Sequence, residues 1–282
     1  MSEEKNKIMY SVLMPVYIKD KAEYVKLAID SMLEQTYKPE QYVVVQDGPI
    51  PDDIQELLGK YDNANPGLFT IVALEKNSGL PTALNEGLKY CRNELVARMD
   101  ADDISLPTRC EKEIAMFESE EKLVICGCSI DEFYNSPENI RTSRIVPSEY
   151  EDIMKFLRRR TPFNHPTVMY KKSKVLENGG YSAEIKRKQD YDLFSRMLMN
   201  GCYARNVDES LLLFRANEEN YARRKSTATL KNAFRVYWRH FKRKGCNIID
   251  FIVMCGGEIV FFVAPQSVMK WLSDRLLRKQ RV

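Results

Sequence analysis

Three carboxylates within four positions, Asp100, Asp102 and Asp103, close the short apolar run Leu95-Val96-Ala97-Arg98-Met99. The run reads as a strand, and Ile104-Ser105-Leu106-Pro107 after it leads into a helix with Pro in its first turn. In open α/β sheets, ligands bind at the carboxyl ends of strands, where such a turn would lie. Clustered carboxylates repel one another unless a cation sits among their oxygens, and Mg²⁺ and Mn²⁺ are the hard ions that suit them. The competing reading is a solvated acidic turn with one Asp capping the next helix.

The segments around this turn repeat one pattern. Met9 to Tyr17 reads as a buried strand running into a turn, and Asp20 with Glu23 has the spacing of a capping box at a helix start. Tyr24, Leu27, Ala28, Met32 and Leu33 then keep to one helical face. Gln41 to Gln46 is a second strand ending in Asp47-Gly48-Pro49, followed by a short helix around Ile54 to Tyr61. Leu68 to Leu74 is a third strand, ending near Asn77-Ser78-Gly79, and Pro81 to Tyr90 the next helix. Leu95 to Met99, helix Leu106 to Glu118 and strand Leu123 to Cys126 complete the run. Near-continuous apolar strands alternating with helices predict a parallel sheet covered on both faces. The polar residues fall each time at a strand's carboxyl end, so Pro15, Tyr17, Asp47, Asn77, Asp100 and Asp102 should converge on one crevice.

Bulk composition narrows the function. The 282 residues are 44% hydrophobic and 29% charged, with a net charge of +3, too small for a general nucleic-acid binder. The seven cysteines form no CxxC pair and there are two histidines, which argues against a structural zinc site and for a reducing compartment. Met1 to Lys7 is polar, without the apolar core of a signal peptide, so the expected location is cytoplasmic. No G-x-G-x-x-G or Walker A pattern follows the first strand, which argues against a dinucleotide enzyme, a P-loop NTPase or a sugar-phosphate nucleotidyltransferase.

Taken in order, Met14-Pro15-Val16-Tyr17, Val45-Gln46-Asp47-Gly48, Asn77-Ser78-Gly79-Leu80 with Ala83-Leu84-Asn85-Glu86-Gly87, and Asp100-Ala101-Asp102-Asp103 resemble the family 2 glycosyltransferases. Asn164-His165-Pro166-Thr167, Gly179-Gly180-Tyr181 and Gln189-Asp190-Tyr191-Asp192 continue the resemblance, which covers roughly residues 9 to 220. It implies an α/β GT-A fold, Rossmann-like, with a mostly parallel central sheet covered by helices; the residues beyond it are expected to add a C-terminal helical extension. It also implies an inverting transfer of a sugar from a nucleotide-diphosphate donor, UDP-linked by preference, to a saccharide acceptor, free or lipid-linked. In that frame Pro15, Tyr17, Asp47, Asn77, Asn85 and Asp100 hold the donor nucleotide, and Asp102 holds Mn²⁺ or Mg²⁺. Asp103 either assists through water or caps a helix.

The acceptor hydroxyl needs a carboxylate base, and Asp190 is the candidate. On a helix, Asp190 shares a face with Leu193, Phe194, Met197 and Leu198, while Asp192 should point about 200° away into solvent. His165, Gly180 and Tyr181 belong to the acceptor side on the same resemblance. Two positions depart from the family pattern: Gln189 stands for the usual Glu before the base, and Asn217 stands where many members carry a His. Those departures keep an alternative open, a catalytically silent nucleotide-binding scaffold of a polysaccharide assembly complex. Arg158-Arg159-Arg160 either meets an acceptor phosphate or is a solvated helix end.

Composition changes after residue 220. Arg223 to Lys244 has nine Lys or Arg and no acid, interleaved with Phe234, Tyr237, Trp238 and Phe241. Ile248 to Ala264 is largely apolar but is interrupted by Asp250, Gly256-Gly257 and Glu258. That is too short and too broken to span a bilayer, which takes ~20 apolar residues. Residues 1–220 are therefore expected to form the catalytic domain. Residues 221–282 should form a basic and apolar tail lying on an anionic membrane surface or packing on the domain. No nucleic acid is expected as a partner.

Overall fold

The computed structural model describes residues 7–216, residues 226–264 and the backbone of 279–280. Met1–Asn6, Asn217, Arg223–Lys225 and the 220/221 boundary lie outside the described residues. The first half follows the predicted alternation: β1 (Tyr10–Val16), α1 (Ala22–Leu33), β2 (Gln41–Gln46), α2 (Asp52–Ala64), β3 (Phe69–Ala73), α3 (Leu80–Tyr90) and β4 (Leu95–Arg98). Then come β5 (Ile104–Ser105), α4 (Arg109–Ser119), the long strand β6 (Leu123–Tyr134), β7 (Ser136–Arg144), α5 (Tyr150–Leu157), β8 (Met169–Lys171) and α6 (Lys172–Glu177). The chain continues through α7 (Gln189–Met199), β9 (Tyr203–Arg215), α8 (Thr227–Lys242), α9 (Ile248–Val263) and β10 (Lys279–Gln280).

One ten-stranded sheet has the main order β10-β7-β6-β8-β4-β1-β2-β3, with β9 beside β6 and β5 beside β9. The β3-β2-β1-β4 half is parallel; β8 then pairs antiparallel with both β4 and β6. Successive strand residues serve opposite faces. Leu13, Val43, Val45 and Val96 enter the core beneath α3 and α7, whereas Val12, Met14, Val44 and Ala97 enter the core beneath α1, α2 and α4. The two cores lock the register, and with it the level at which β1, β2 and β4 end.

Four local expectations fail. Asp20 accepts Tyr17 N at 2.8 Å in the preceding turn, and α1 starts at the uncapped Lys21, so no capping box forms. The buried face of α1 is Val25, Ala28, Ile29 and Met32, and Leu27 is exposed, so the helix turns a stripe rotated from the expected one to the sheet. Pro107 precedes α4 and accepts Thr36 N at 2.8 Å instead of opening the helix. The strand predicted over Leu123 to Cys126 runs on to Tyr134, because β9 pairs along its whole length.

Candidate active site

Parallel pairing sets Val16 against Gln46 and Leu13 against Arg98, so the carboxyl ends of β1, β2 and β4 open on one edge. Just past β2, Asp47 is buried, and its carboxylate accepts Ser78 N at 2.7 Å and Gly79 N at 2.9 Å. These donors lie at the N-terminus of α3, where unpaired N–H groups favour an anion. Gly48 has φ +84°, and an added Cβ would sit 2.4 Å from Asn77 N. Only glycine lets the two loops pack backbone to backbone there. The cradle leaves Asn77 exposed and Pro15 and Tyr17 half-buried beside it.

Asp100, Asp102 and Asp103 follow β4 with ligand oxygens all within 4.8 Å of one another. The short β5–β9 pairing, Ile104 to Leu213 and Ser105 to Leu212, brings the end of β9 against this turn. Arg215 N then donates to Asp103 Oδ1, and Arg215 Nε to the Asp102 carbonyl, both at 2.9 Å. The Arg215 guanidinium stacks 3.8 Å from the Tyr24 ring centroid and 4.6 Å from that of Phe133. From below, fully buried Arg98 donates to Asp100. Burial and Asp100 push the Asp102 carboxyl up to about 6, against the pull of Arg98 and Arg215. Burial, Asp102 and Asp100 hold Asp103 well above the usual carboxylate range, and its Oδ2 has no hydrogen-bond partner among the described residues. Hard oxygen donors crowded together, one of them buried and unpaired, fit a divalent cation.

On the other side of the crevice, a 3₁₀ turn at His165–Thr167 buries His165, whose Nε2 lies 2.9 Å from Tyr181 Oη. Burial and Arg98 keep His165 neutral, its pKa well below the ordinary value. Gly180 has φ +62°, and an added Cβ would sit 2.6 Å from Asn85 Oδ1. The Asn85 side-chain amide clamps the next residue, accepting Tyr181 N at 2.8 Å and donating to Tyr181 O at 2.7 Å. Asn85 on α3 and His165 in the 3₁₀ turn thus both fix Tyr181, one through its backbone and one at its hydroxyl.

Asp190 is half-buried in the first turn of α7 and has no hydrogen-bond partner among the described residues. The helix is entered from Lys188 in the left-handed region, φ +59°, without a side-chain cap, so Asp190 does not serve as one. Asp192, expected in solvent, is 1% exposed. It accepts from Arg196 Nε at 3.2 Å and from Arg243 Nη1 at 3.0 Å, because α8 covers the face that spacing alone leaves open. Arg158 and Arg159 pair with Asp250 of α9, which they reach at 2.6 Å. Sequence reasoning passed over Arg98 and Arg215. Arg98 next to the acidic turn was a readable signal, whereas Arg215 reaches the turn only through the β5–β9 pairing.

A parallel half-sheet with acidic turns at its strand ends is the arrangement in which α/β folds bind ligands. Comparison with known proteins then settles the family. The model of "Glycosyl transferase family 2" matches residues 11–180, and the chain belongs to that family. It is 35% identical over 267 residues to "Amylovoran biosynthesis glycosyltransferase AmsE" of Erwinia amylovora, covering 95% of this chain and 98% of that one. It is 30% identical over 280 residues to "UDP-Gal:alpha-D-GlcNAc-diphosphoundecaprenol beta-1,3-galactosyltransferase" of Escherichia coli, covering 99% of each. Among solved structures, the mannosyltransferase PcManGT from Pyrobaculum calidifontis, in complex with GDP-Man and Mn²⁺, superimposes with a TM-score of 0.64 at 18% identity. It covers 94% of this chain and 73% of that one. The fold is GT-A, with a C-terminal helical extension. Among the described residues, no helix is long and apolar enough to cross a membrane.

Proposed function

We propose that this glycosyltransferase inverts the anomeric centre as it moves a sugar from a UDP-linked donor to a saccharide on a polyprenyl diphosphate, in bacterial surface-polysaccharide assembly. The observation that carries the reading is the acidic turn after β4, where Asp100, Asp102 and Asp103 bring their ligand oxygens within 4.8 Å of one another and Asp103 Oδ2 is buried without a partner among the described residues. Whole-length similarity to the Escherichia coli enzyme, whose name gives a UDP-sugar and a diphosphoundecaprenol acceptor, supports the choice of substrates.

Residues 1–220 act as the catalytic domain. Asp47 holds the Ser78–Gly79 backbone and so shapes the nucleoside pocket with Pro15, Tyr17 and Asn77. Asn85 acts one step removed, by fixing the Gly180–Tyr181 backbone. Asp100 faces the ribose, steered by Arg98. Asp102, with Asp100 and Asp103 beside it, would hold Mn²⁺ or Mg²⁺. When bound, that ion neutralises the charge that develops on the leaving diphosphate. His165 and Tyr181 line the acceptor side. Asp190 takes the proton of the attacking hydroxyl as its oxygen bonds to the anomeric carbon opposite the departing nucleotide; a single displacement inverts that centre. With its acceptor on a lipid carrier, the enzyme works as a peripheral protein on the cytoplasmic face of the membrane. The tail, residues 221–282, meets that surface.

Calorimetric titration of UDP, GDP and TDP, with and without Mn²⁺, tests the donor site. Metal-dependent UDP binding by wild type, abolished in Asp102→Ala, is the expected result. A folded protein that binds none of them would overturn the transferase reading and leave the scaffold alternative.

A further inference from the structure

α9 is apolar on the side turned away from the protein. Ile249, Ile252, Val253, Ile259, Val260 and Val263 are 47–68% exposed, and their spacing of three and four puts them on one helical face. Both acids of residues 226–264 turn inward: Asp250 to Arg158 and Arg159, and Glu258 to Tyr237 and Lys188. Along α8, Lys231, Arg235, Trp238 and Lys242 are exposed. Trp238, 46% exposed, stacks on Phe241 and meets Phe251 edge to face, and Lys242 Nζ lies 5.3 Å from its ring centroid. An apolar helical stripe flanked by tryptophan and cations, with no outward acid, complements an anionic bilayer surface. Sixteen residues span about 24 Å, too short to cross the core and suited to lying along it.

The opposite side of the same helix pair grips the segment that presents Asp190. Glu258 Oε1 on α9 lies 2.6 Å from Lys188 Nζ and accepts the Tyr237 hydroxyl at 2.7 Å. Lys188 holds its left-handed conformation two residues before Asp190. Arg239 and Arg243 of α8 reach Glu184 and Asp192 at 2.9 and 3.0 Å, one on each side of Asp190. We propose that the outward face of α9 docks on an anionic bilayer, and that Glu258 and Lys188 are positioning residues that transmit docking to the entry of α7. The docking deepens, and rests on, the reading of the tail as meeting the membrane, and the role given to Asp190 rests on the transferase reading; the vesicle and exchange readouts need no activity and so fail separately from either.

The test uses the full chain with vesicles of phosphatidylglycerol and phosphatidylethanolamine against vesicles of phosphatidylcholine. Binding is read by flotation and loop order by hydrogen exchange in peptides covering residues 182–193. Wild type should bind the anionic vesicles about tenfold or more tighter, with exchange in that segment slowed several-fold; Ile252→Glu, at an exposed position, should lose the binding. Glu258→Gln should bind within twofold of wild type without the slowing. Lys188→Met should behave like Glu258→Gln, and Lys188→Arg should restore the slowing. Binding with unchanged exchange, or slowing that survives Glu258→Gln, would overturn the transmission. No anionic binding, with a dimer that Ile252→Glu dissociates, would assign the face to a second copy of the chain. Asp190→Asn should leave both readouts unchanged, so an error in the base assignment would show only in transfer assays.

Discussion

Asp190→Asn keeps the size and polarity of the side chain and removes the proton acceptor. Transfer should fall by a factor of about 10²–10⁴ with nucleotide binding retained, because no described hydrogen bond or ion pair depends on this carboxylate. Full activity in the variant would move the base elsewhere. The two close backbone approaches make a second residue-scale prediction. Gly48→Ala combines a φ of +84° with a Cβ 2.4 Å from Asn77 N and 2.7 Å from Lys76 C, and neither atom lies on a flexible side chain. The variant should lose stability on the order of 1–3 kcal/mol and weaken nucleotide binding, read by thermal unfolding and calorimetry; unchanged values would refute the packing of Asp47-Gly48 on the Asn77 loop. The same scale shows what sequence can and cannot tell. Asp47, Asp100 and Asp102 were legible because each closes an apolar strand. Asp192 was misread because helical spacing places a residue on a face and says nothing of what covers that face. Here α8 does, with Arg243.

At the scale of elements, the N-terminal strands and helices were legible from apolar runs and turn residues, with α1 the exception in its facing. In the second half the helix of Asp190 and the C-terminal helices were legible too, whereas the rest of the sheet was not, since β5 is two residues long and β8 three, and their pairings join positions far apart in sequence. The packing of α8 on α7 carries its own prediction. His240 is fully buried, with Nδ1 2.7 Å from Ser195 Oγ. Burial and the neighbouring Arg243 pull its pKa down to about 4. A histidine with a depressed folded pKa leaves stability intact above its unfolded value, about 6.5. Stability is lost as pH falls from there toward about 4, because the unfolded chain takes up the proton first. The loss from this residue should reach at most ~3 kcal/mol. Denaturant unfolding between pH 7 and 4 should show a shallower decline for His240→Gln than for wild type. Equal slopes would mean that this histidine titrates normally in the folded protein. His165, also held neutral by burial, adds to the decline in both proteins.

At the scale of the whole molecule, the acidic turn is a local cost that the fold sustains with other charges. Three clustered carboxylates lie beside two arginines, Arg98 donating from beneath and Arg215 donating from the end of β9 to the Asp103 carboxylate and the Asp102 carbonyl, and still one buried oxygen, Asp103 Oδ2, has no partner among the described residues. Strands from both halves of the sheet meet at this point, so a ligand that satisfies the turn should stabilise the chain globally. Ligand at a hundred times its dissociation constant adds about 2.7 kcal/mol to unfolding. For a chain of this size that corresponds to a rise in Tm of a few degrees. Mn²⁺ with UDP should produce that rise in wild type, and EDTA should reverse it. Asp102→Ala should start from an equal or higher Tm, since it relieves repulsion that raises its neighbour's pKa as well as its own, and should gain nothing from the ligands. A wild-type Tm indifferent to Mn²⁺ and UDP, or an Asp102→Ala protein stabilised as much as wild type, would show that the turn is held by its arginines alone and is not the donor site.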